Sequence, residues 1–391
     1  MLRGLDPNSL VVSLIAKANE AADISCFLAD AGRFLLPKPW HVERVFISIN
    51  ALHPSVRGRT QLWQAGDACA TVTEWPHGLE NRPGYYDSPD WHVHQTKSVF
   101  RVQNLADQSD SKCDLYRNLS DQGYRDYLMA PLIFSNGSTN TLSIATRNEP
   151  GFSDEIMAAF KDKIAPTMGI ILERFVANEA LSAALTAYVG AGAAHEILSG
   201  RIIAGHGEIV EGAVLFADLH GFTAHSANLG PSQTVQLLND YFSALVQPIE
   251  LNGGQVLKFI GDAVLAFFPT TSSRMTVSDP KKAIDEIGLS MAGLNSKRKM
   301  LDKPILTHAL CIHYGNVLYG NIGSNERLDF TIIGDIVNVA SRGVELASAL
   351  GEECLFTGAY VEHFGDEDLM PLGYQSLRSI ENQVMMYRRA A

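Results

Sequence analysis

A run of small and β-branched apolar residues, Gly212-Ala213-Val214-Leu215-Phe216-Ala217, ends in Asp218 and turns at Gly221. A second aspartate, Asp262, follows 44 residues later in the turn between two apolar stretches. This pair restricts the fold more than any other feature, because each carboxylate stands where a buried strand meets a turn. The segment between them supports that reading. Gly230-Pro231 opens a helix with proline in its first turn, and Val235, Leu238, Tyr241, Phe242 and Leu245 recur at helical spacing. Asn252-Gly253-Gly254 stops it, and strands Gln255 to Ile260 and Ala263 to Phe268 flank Gly261-Asp262, a tight hairpin signal. A helix (about Lys281 to Lys299), a strand (Ile305 to His313), a hairpin around Tyr319-Gly320-Asn321, a strand (Leu328 to Ile333) and a helix (Asp335 to Leu350) follow. The alternation predicts an α+β sandwich with helices over one sheet.

Two carboxylates emerging from rigid strands can hold divalent ions against a polyphosphate, although a turn aspartate alone is usually only a turn former. Leu219-His220-Gly221-Phe222-Thr223 leads from Asp218 into a helical stretch, whose first N–H groups suit phosphate oxygens or belong to an ordinary strand-to-helix turn. Asn338 and Arg342 stand four apart on the last helix, so they share a face. An amide beside a guanidinium can orient a sugar and neutralise a phosphate, or form a plain solvated surface. His220, His225 and His313 are read as structural or exposed.

Together, Val214 to Thr223, Lys258-Phe259-Ile260-Gly261-Asp262-Ala263-Val264 and Asp329 to Arg342 resemble the catalytic domain of class III nucleotidyl cyclases, over about Glu211 to Tyr387. The resemblance implies a ferredoxin-like α+β domain that converts ATP to 3′,5′-cyclic AMP and pyrophosphate with two Mg²⁺ or Mn²⁺ ions. Asp218 and Asp262 would hold the ions, joined by the backbone carbonyl of Leu219. Lys258 and Thr331 would read the base, and a lysine with a hydroxyl partner is compatible with adenine. Asn338 would orient the ribose and Arg342 would stabilise phosphate charge, while Phe222, Thr223 and, more weakly, Arg378 would meet the triphosphate. In the family these groups meet across a subunit boundary, which implies a homodimer with two composite sites. A cyclase for another nucleotide, GTP or a pyrimidine, and a silent nucleotide-binding protein are the alternatives.

The N-terminal half carries a helical start (Leu10 to Leu36), strand-like runs at Arg44 to Leu52 and Gln61 to Ala65, and a hairpin of Tyr127 to Phe134 with Thr141 to Ala145 around Ser135-Asn136-Gly137-Ser138. Ser153 caps an exit helix. Ala70 to Ser111, with Trp75, His77, Trp91, His92 and His94, shows no regular pattern. The arrangement resembles a GAF-type sensor, so the expected organisation is a GAF-like domain at 1–165, a helical linker at 166–207 and the cyclase domain at 208–391. His92 and His94 are read as surface residues on a loop or strand. Trp75, Tyr85, Tyr86 and Trp91 are read as core, with a small-molecule pocket as the alternative.

Composition excludes some roles. Lys and Arg number 31 against 43 Asp and Glu, a net charge of −12 that opposes binding to nucleic acid or an anionic membrane. Ala180 to Ala194 falls short of the roughly 20 residues that span a bilayer, and MLRGLDPNSL lacks signal-peptide character. Five scattered cysteines, Cys26, Cys69, Cys113, Cys311 and Cys354, suit a reducing cytoplasm.

Overall fold

The computed structural model describes residues 7–50, 58–75, 85–108, 111, 113–201, 203, 205, 207–227, 229–270, 278–324, 326–365 and 368–390. The chain divides into two compact units, Met1–Leu181 and Ser182–Ala391.

The first unit opens with helices α1 (Pro7–Glu20) and α2 (Ile24–Leu35), the single expected helix being broken where Asp23 caps α2 by accepting from the Cys26 N–H at 2.7 Å. Strands β1 (Arg44–Asn50), β2 (Gly58–Gln64), β3 (Thr71–Trp75), β4 (Phe100–Gln103), β5 (Asp126–Ile133) and β6 (Thr139–Thr146) form an antiparallel sheet in the order β3-β2-β1-β6-β5-β4. The expected β5–β6 hairpin is present. The segment without a readable pattern holds β3, β4 and helix α3 (Pro89–Thr96), which Ser88 caps and Pro89 enters. His92 and His94 therefore lie on a helix rather than on a loop or strand, the first against Phe100 and the second with Nδ1 3.0 Å from the Tyr85 hydroxyl. His77 lies outside the described residues.

Strand alternation divides the apolar residues between the two sheet faces. Val45, Ile47, Ile49, Leu128, Ala130, Leu142 and Ile144 pack with α2, with α5 (Asp154–Ala159) and with the start of the long helix α6 (Ala165–Leu198). Tyr127, Met129 and Ala145 face the other way, against Val93 of α3 and Leu119 of α4 (Asp114–Asp121). At Gly190 the backbone leaves helical values (φ 82°, ψ 159°), so α6 is interrupted at a glycine, which takes a positive φ without strain.

The second unit is built on an eight-stranded sheet of β7 (Gly207–Leu219), β8 (Gln255–Ile260), β9 (Ala263–Pro269), β10 (His308–Gly323), β11 (Leu328–Ile333), β12 (Cys354–Thr357), β13 (Leu369–Gln375) and β14 (Val384–Arg389). Its order is β13-β14-β12-β10-β7-β9-β8, with β11 added to the far part of β10. Helices cover both faces. Ala213, Leu215 and Ala217 of β7 pack with α8 (Pro231–Leu251), α9 (Pro280–Met300) and Tyr360 of α11 (Gly358–Phe364). Val339, Val344 and Ala347 of α10 (Asp335–Leu350) pack on the opposite face with Ala309, Cys311 and Leu355.

The hairpin expected at Tyr319-Gly320-Asn321 is strand, with Gly320 opposite Thr331 and Ser324 and Arg327 hydrogen-bonded to each other beyond it. The Tyr319 ring, 4.7 Å from Phe330 and 5.9 Å from Phe267, packs within the ladder instead of leaving it. Among the described residues no helix is long and apolar enough to cross a membrane.

Candidate active site

Asp218 ends β7, opposite Ala309, and Asp262 occupies the β8–β9 turn. Gly261 makes that turn with φ 65°, a left-handed conformation that glycine adopts without strain. The two carboxylates lie within electrostatic reach of each other. Burial, then the neighbouring Asp262 charge, raises Asp218 above the usual carboxylate range, while the Leu219 N–H works in the opposite direction. Burial raises Asp262 as well. Among the described residues neither carboxylate has an ion pair or a side-chain hydrogen bond, and no third His, Cys, Asp or Glu joins them in a metal-holding group. Two uncompensated carboxylates are hard oxygen donors, a chemistry that fits Mg²⁺ or Mn²⁺.

Beneath them lies a buried polar layer that the sequence reading did not assign to the site. The Tyr241 hydroxyl is buried without a hydrogen-bond partner among the described residues and is raised by burial, then by Asp218 and Asp262. The His308 ring lies 5.9 Å from the Tyr241 ring, with its Nε2 3.4 Å from Glu353 Oε1. Tyr241 entered the sequence reading only as one step of an apolar helical stripe, because periodicity does not say which stripe member meets a strand end.

The remaining expected site residues stand on other elements. Lys258, on β8, forms an ion pair with Asp329 of β11. Thr331 lies two residues beyond Asp329, hence on the same strand face, buried, with no hydrogen bond to its hydroxyl among the described residues. Sequence reasoning missed Asp329, although its spacing from Thr331 was the available signal. Lys258 and Asp329 line a cleft of about 620 Å³ with Phe259, Phe330, Tyr188 and Val189, a volume typical of small-molecule pockets.

Asn338 is exposed on α10 and Arg342 is half-buried one turn later, paired with Glu345. Phe222 starts the short helix α7 (Phe222–Ala227) and packs into the core beside α8, while Thr223 is exposed. Arg378 is exposed in the β13–β14 connection, next to Leu377, which packs with Val339 and Val344 of α10. His313 is structural, with Nδ1 2.7 Å from Thr357 Oγ1, and burial lowers it to about 4. The His225 side chain lies outside the described residues. The structure thus brings together Asp218 with Asp262, and Lys258 with the face of Thr331. Neither Lys258 nor Arg342 forms an ion pair with the aspartates among the described residues.

Residues 206–351 match the family model described as the adenylate and guanylate cyclase catalytic domain. This segment is a class III cyclase catalytic domain. An adenylate cyclase of Anabaena cylindrica is 30% identical over 174 residues, covering 44% of this chain and 33% of its own length. Adenylate cyclase 1 of Rhizobium meliloti is 30% identical over 166 residues, covering 42% and 25%. The chain therefore spans a third or less of these two curated relatives. Among solved structures, the adenylyl cyclase CyaB from P. aeruginosa is 28% identical, with a TM-score of 0.38, over 48% of this chain and 96% of that one.

Proposed function

We propose that the protein is an adenylate cyclase that converts ATP to 3′,5′-cyclic AMP and pyrophosphate at a site shared by two copies of the chain. One observation carries this reading: the cyclase domain presents an acid pair with no cationic partner among the described residues, while Lys258, Asn338 and Arg342 stand elsewhere on the same domain. A second copy supplies what the first lacks at each site, and two identical sites result.

In the reaction the ribose 3′-oxygen forms a bond to the α-phosphorus, the bond from that phosphorus to the bridging oxygen of pyrophosphate breaks, and the hydroxyl proton is released. The domain's own residues do the aligning. Asp218, Asp262 and the Leu219 carbonyl would hold two Mg²⁺ or Mn²⁺ ions, which when bound would supply charge neutralisation and a more acidic hydroxyl. Lys258, held by Asp329, and Thr331 read the adenine edge. Asn338 orients the ribose, and Arg342 leaves Glu345 to neutralise charge on the phosphates. Phe222, Thr223 and Arg378 border the triphosphate. The N-terminal unit serves as a GAF-like sensor regulating this chemistry.

A second reading, a cyclase for another nucleotide, is favoured by Thr331, whose buried hydroxyl is a less committed base reader than a carboxylate. The deciding experiment incubates purified full-length protein with Mg²⁺ or Mn²⁺ and each common nucleoside triphosphate, and separates products by chromatography. Cyclic AMP as the dominant product supports the first reading and cyclic GMP or a cyclic pyrimidine nucleotide the second. Absence of any cyclic nucleotide rejects both.

A further inference from the structure

The N-terminal sheet carries polar groups on a face where packing alone calls for none. Residues directly opposite one another on paired strands share a face. Arg44 lies opposite Ala145 and Ala145 opposite Tyr127; the next row is Phe46, Ser143 and Met129, and the next Ser48, Thr141 and Pro131. Helix α3 covers these rows, with Val93 packed among Tyr127, Met129 and Ala145, and with Asp90 accepting a hydrogen bond from the Thr141 hydroxyl at 2.6 Å.

Arg44 is the anomaly. It is 7% exposed, yet among the described residues it has no hydrogen bond or ion pair, and its guanidinium lies 5.2 Å over the Phe46 ring. Among the described residues its Nη1 is shut off from solvent without a hydrogen-bond partner, and beside it the buried Tyr127 and Ser143 hydroxyls lie within reach of each other. A guanidinium stays charged in any protein environment, so burying it unpaired is costly. Asp90 is close enough for the two charges to act on each other, but the fold does not close them into an ion pair. Burial acts on both, lowering Arg44 and raising Asp90, with the Thr141 hydrogen bond, His94 and Arg44 partly offsetting the rise at Asp90.

We propose that this face is a binding site for a small organic anion that also carries a hydrogen-bond donor. Arg44 takes the acid group, whose paired oxygens match the guanidinium fork. Asp90, whose carboxylate accepts from the Thr141 hydroxyl and its own backbone N–H, takes the donor, and the Tyr127 and Ser143 hydroxyls complete the lining. Carboxylates and phosphates share the chemistry that Arg44 recognises. An ordered-water core around Arg44 is the competing explanation.

Isothermal titration of the full chain decides between them. β-Alanine and phosphoethanolamine carry both an acid and an ammonium group, whereas acetate, inorganic phosphate and ethylamine each carry one. A two-ended probe is expected to bind at least about tenfold more tightly than its one-ended counterpart, and the tighter of the two distinguishes carboxylate from phosphate. Arg44→Met should abolish binding and Arg44→Lys should weaken it about tenfold, since lysine keeps the charge but not the fork. Asp90→Asn should remove the advantage of the ammonium end while leaving acid-only binding in place. If Arg44→Met does not fold, the other two variants carry the test. No binding of any probe, or binding unchanged in both Arg44→Lys and Asp90→Asn, overturns the proposal in favour of a hydrated core.

Discussion

The two units leave opposite charges uncompensated, and they do so in different places. In the catalytic domain the unpaired groups are two carboxylates at a strand end and a turn, still in contact with solvent. In the N-terminal unit the unpaired group is a guanidinium on a sheet face roofed by a helix. An acid pair at an open rim suits cations that arrive with a large substrate. A buried arginine suits a small anion enclosed by the fold. In both cases the missing counter-charge, rather than the cavity shape, identifies the chemistry of the visitor.

The sharpest way to break the catalytic half of this comparison is Asp218→Ala, expected to cost about 10³-fold or more in cyclase rate while the domain stays folded. Asp218→Asn should separate function from stability. Its folded-state pKa is raised, so the ionised form works against folding at pH values above the ordinary carboxylate range. The amide variant should therefore melt higher than wild type without divalent ions at neutral pH and lose the stabilisation that added Mn²⁺ gives. A lower midpoint would mean that the carboxylate supports the fold. Next in size, Asp329→Asn should free Lys258 and reduce discrimination between ATP and GTP by about tenfold, measured as the ratio of kcat/KM values. Unchanged discrimination would remove Asp329 from base reading. The smallest effect concerns His313. With its folded value near 4 and an ordinary value of 6.5, the unfolded chain binds the proton first, so stability falls as pH drops from about 6.5 towards 4. Denaturant midpoints of His313→Gln should show a shallower decline over that window.

The same contrast explains what the sequence disclosed. The acid pair, the β8–β9 hairpin and the Asn338/Arg342 face were legible because each depends on neighbours in the chain: a strand run, a two-residue turn, a helical spacing. Strands β5 and β6 were legible because Asn136-Gly137 punctuates them. Asp329 and Tyr241 were not, since their partners are on other elements and an isolated aspartate or stripe tyrosine has many ordinary roles. Arg44 and Asp90 were hidden for the same reason, one at the start of a strand and the other on α3, in a segment whose only local clue was the Ser88-Pro89 entry. The far part of β10 follows the same logic, because Tyr319-Gly320-Asn321 has turn composition but packs by its long-range contacts.

The central claim, that the acid pair and the groups that hold the ribose and base come from different copies of the chain, is tested most directly by mixing two inactive variants. Asp218→Ala and Asn338→Ala, co-expressed in equal amounts, should form heterodimers with one intact site each, and random pairing should restore about a quarter of the wild-type rate. Activity that stays at the level of the separate variants at every mixing ratio, with heterodimers verified by differential tagging, would contradict a shared site.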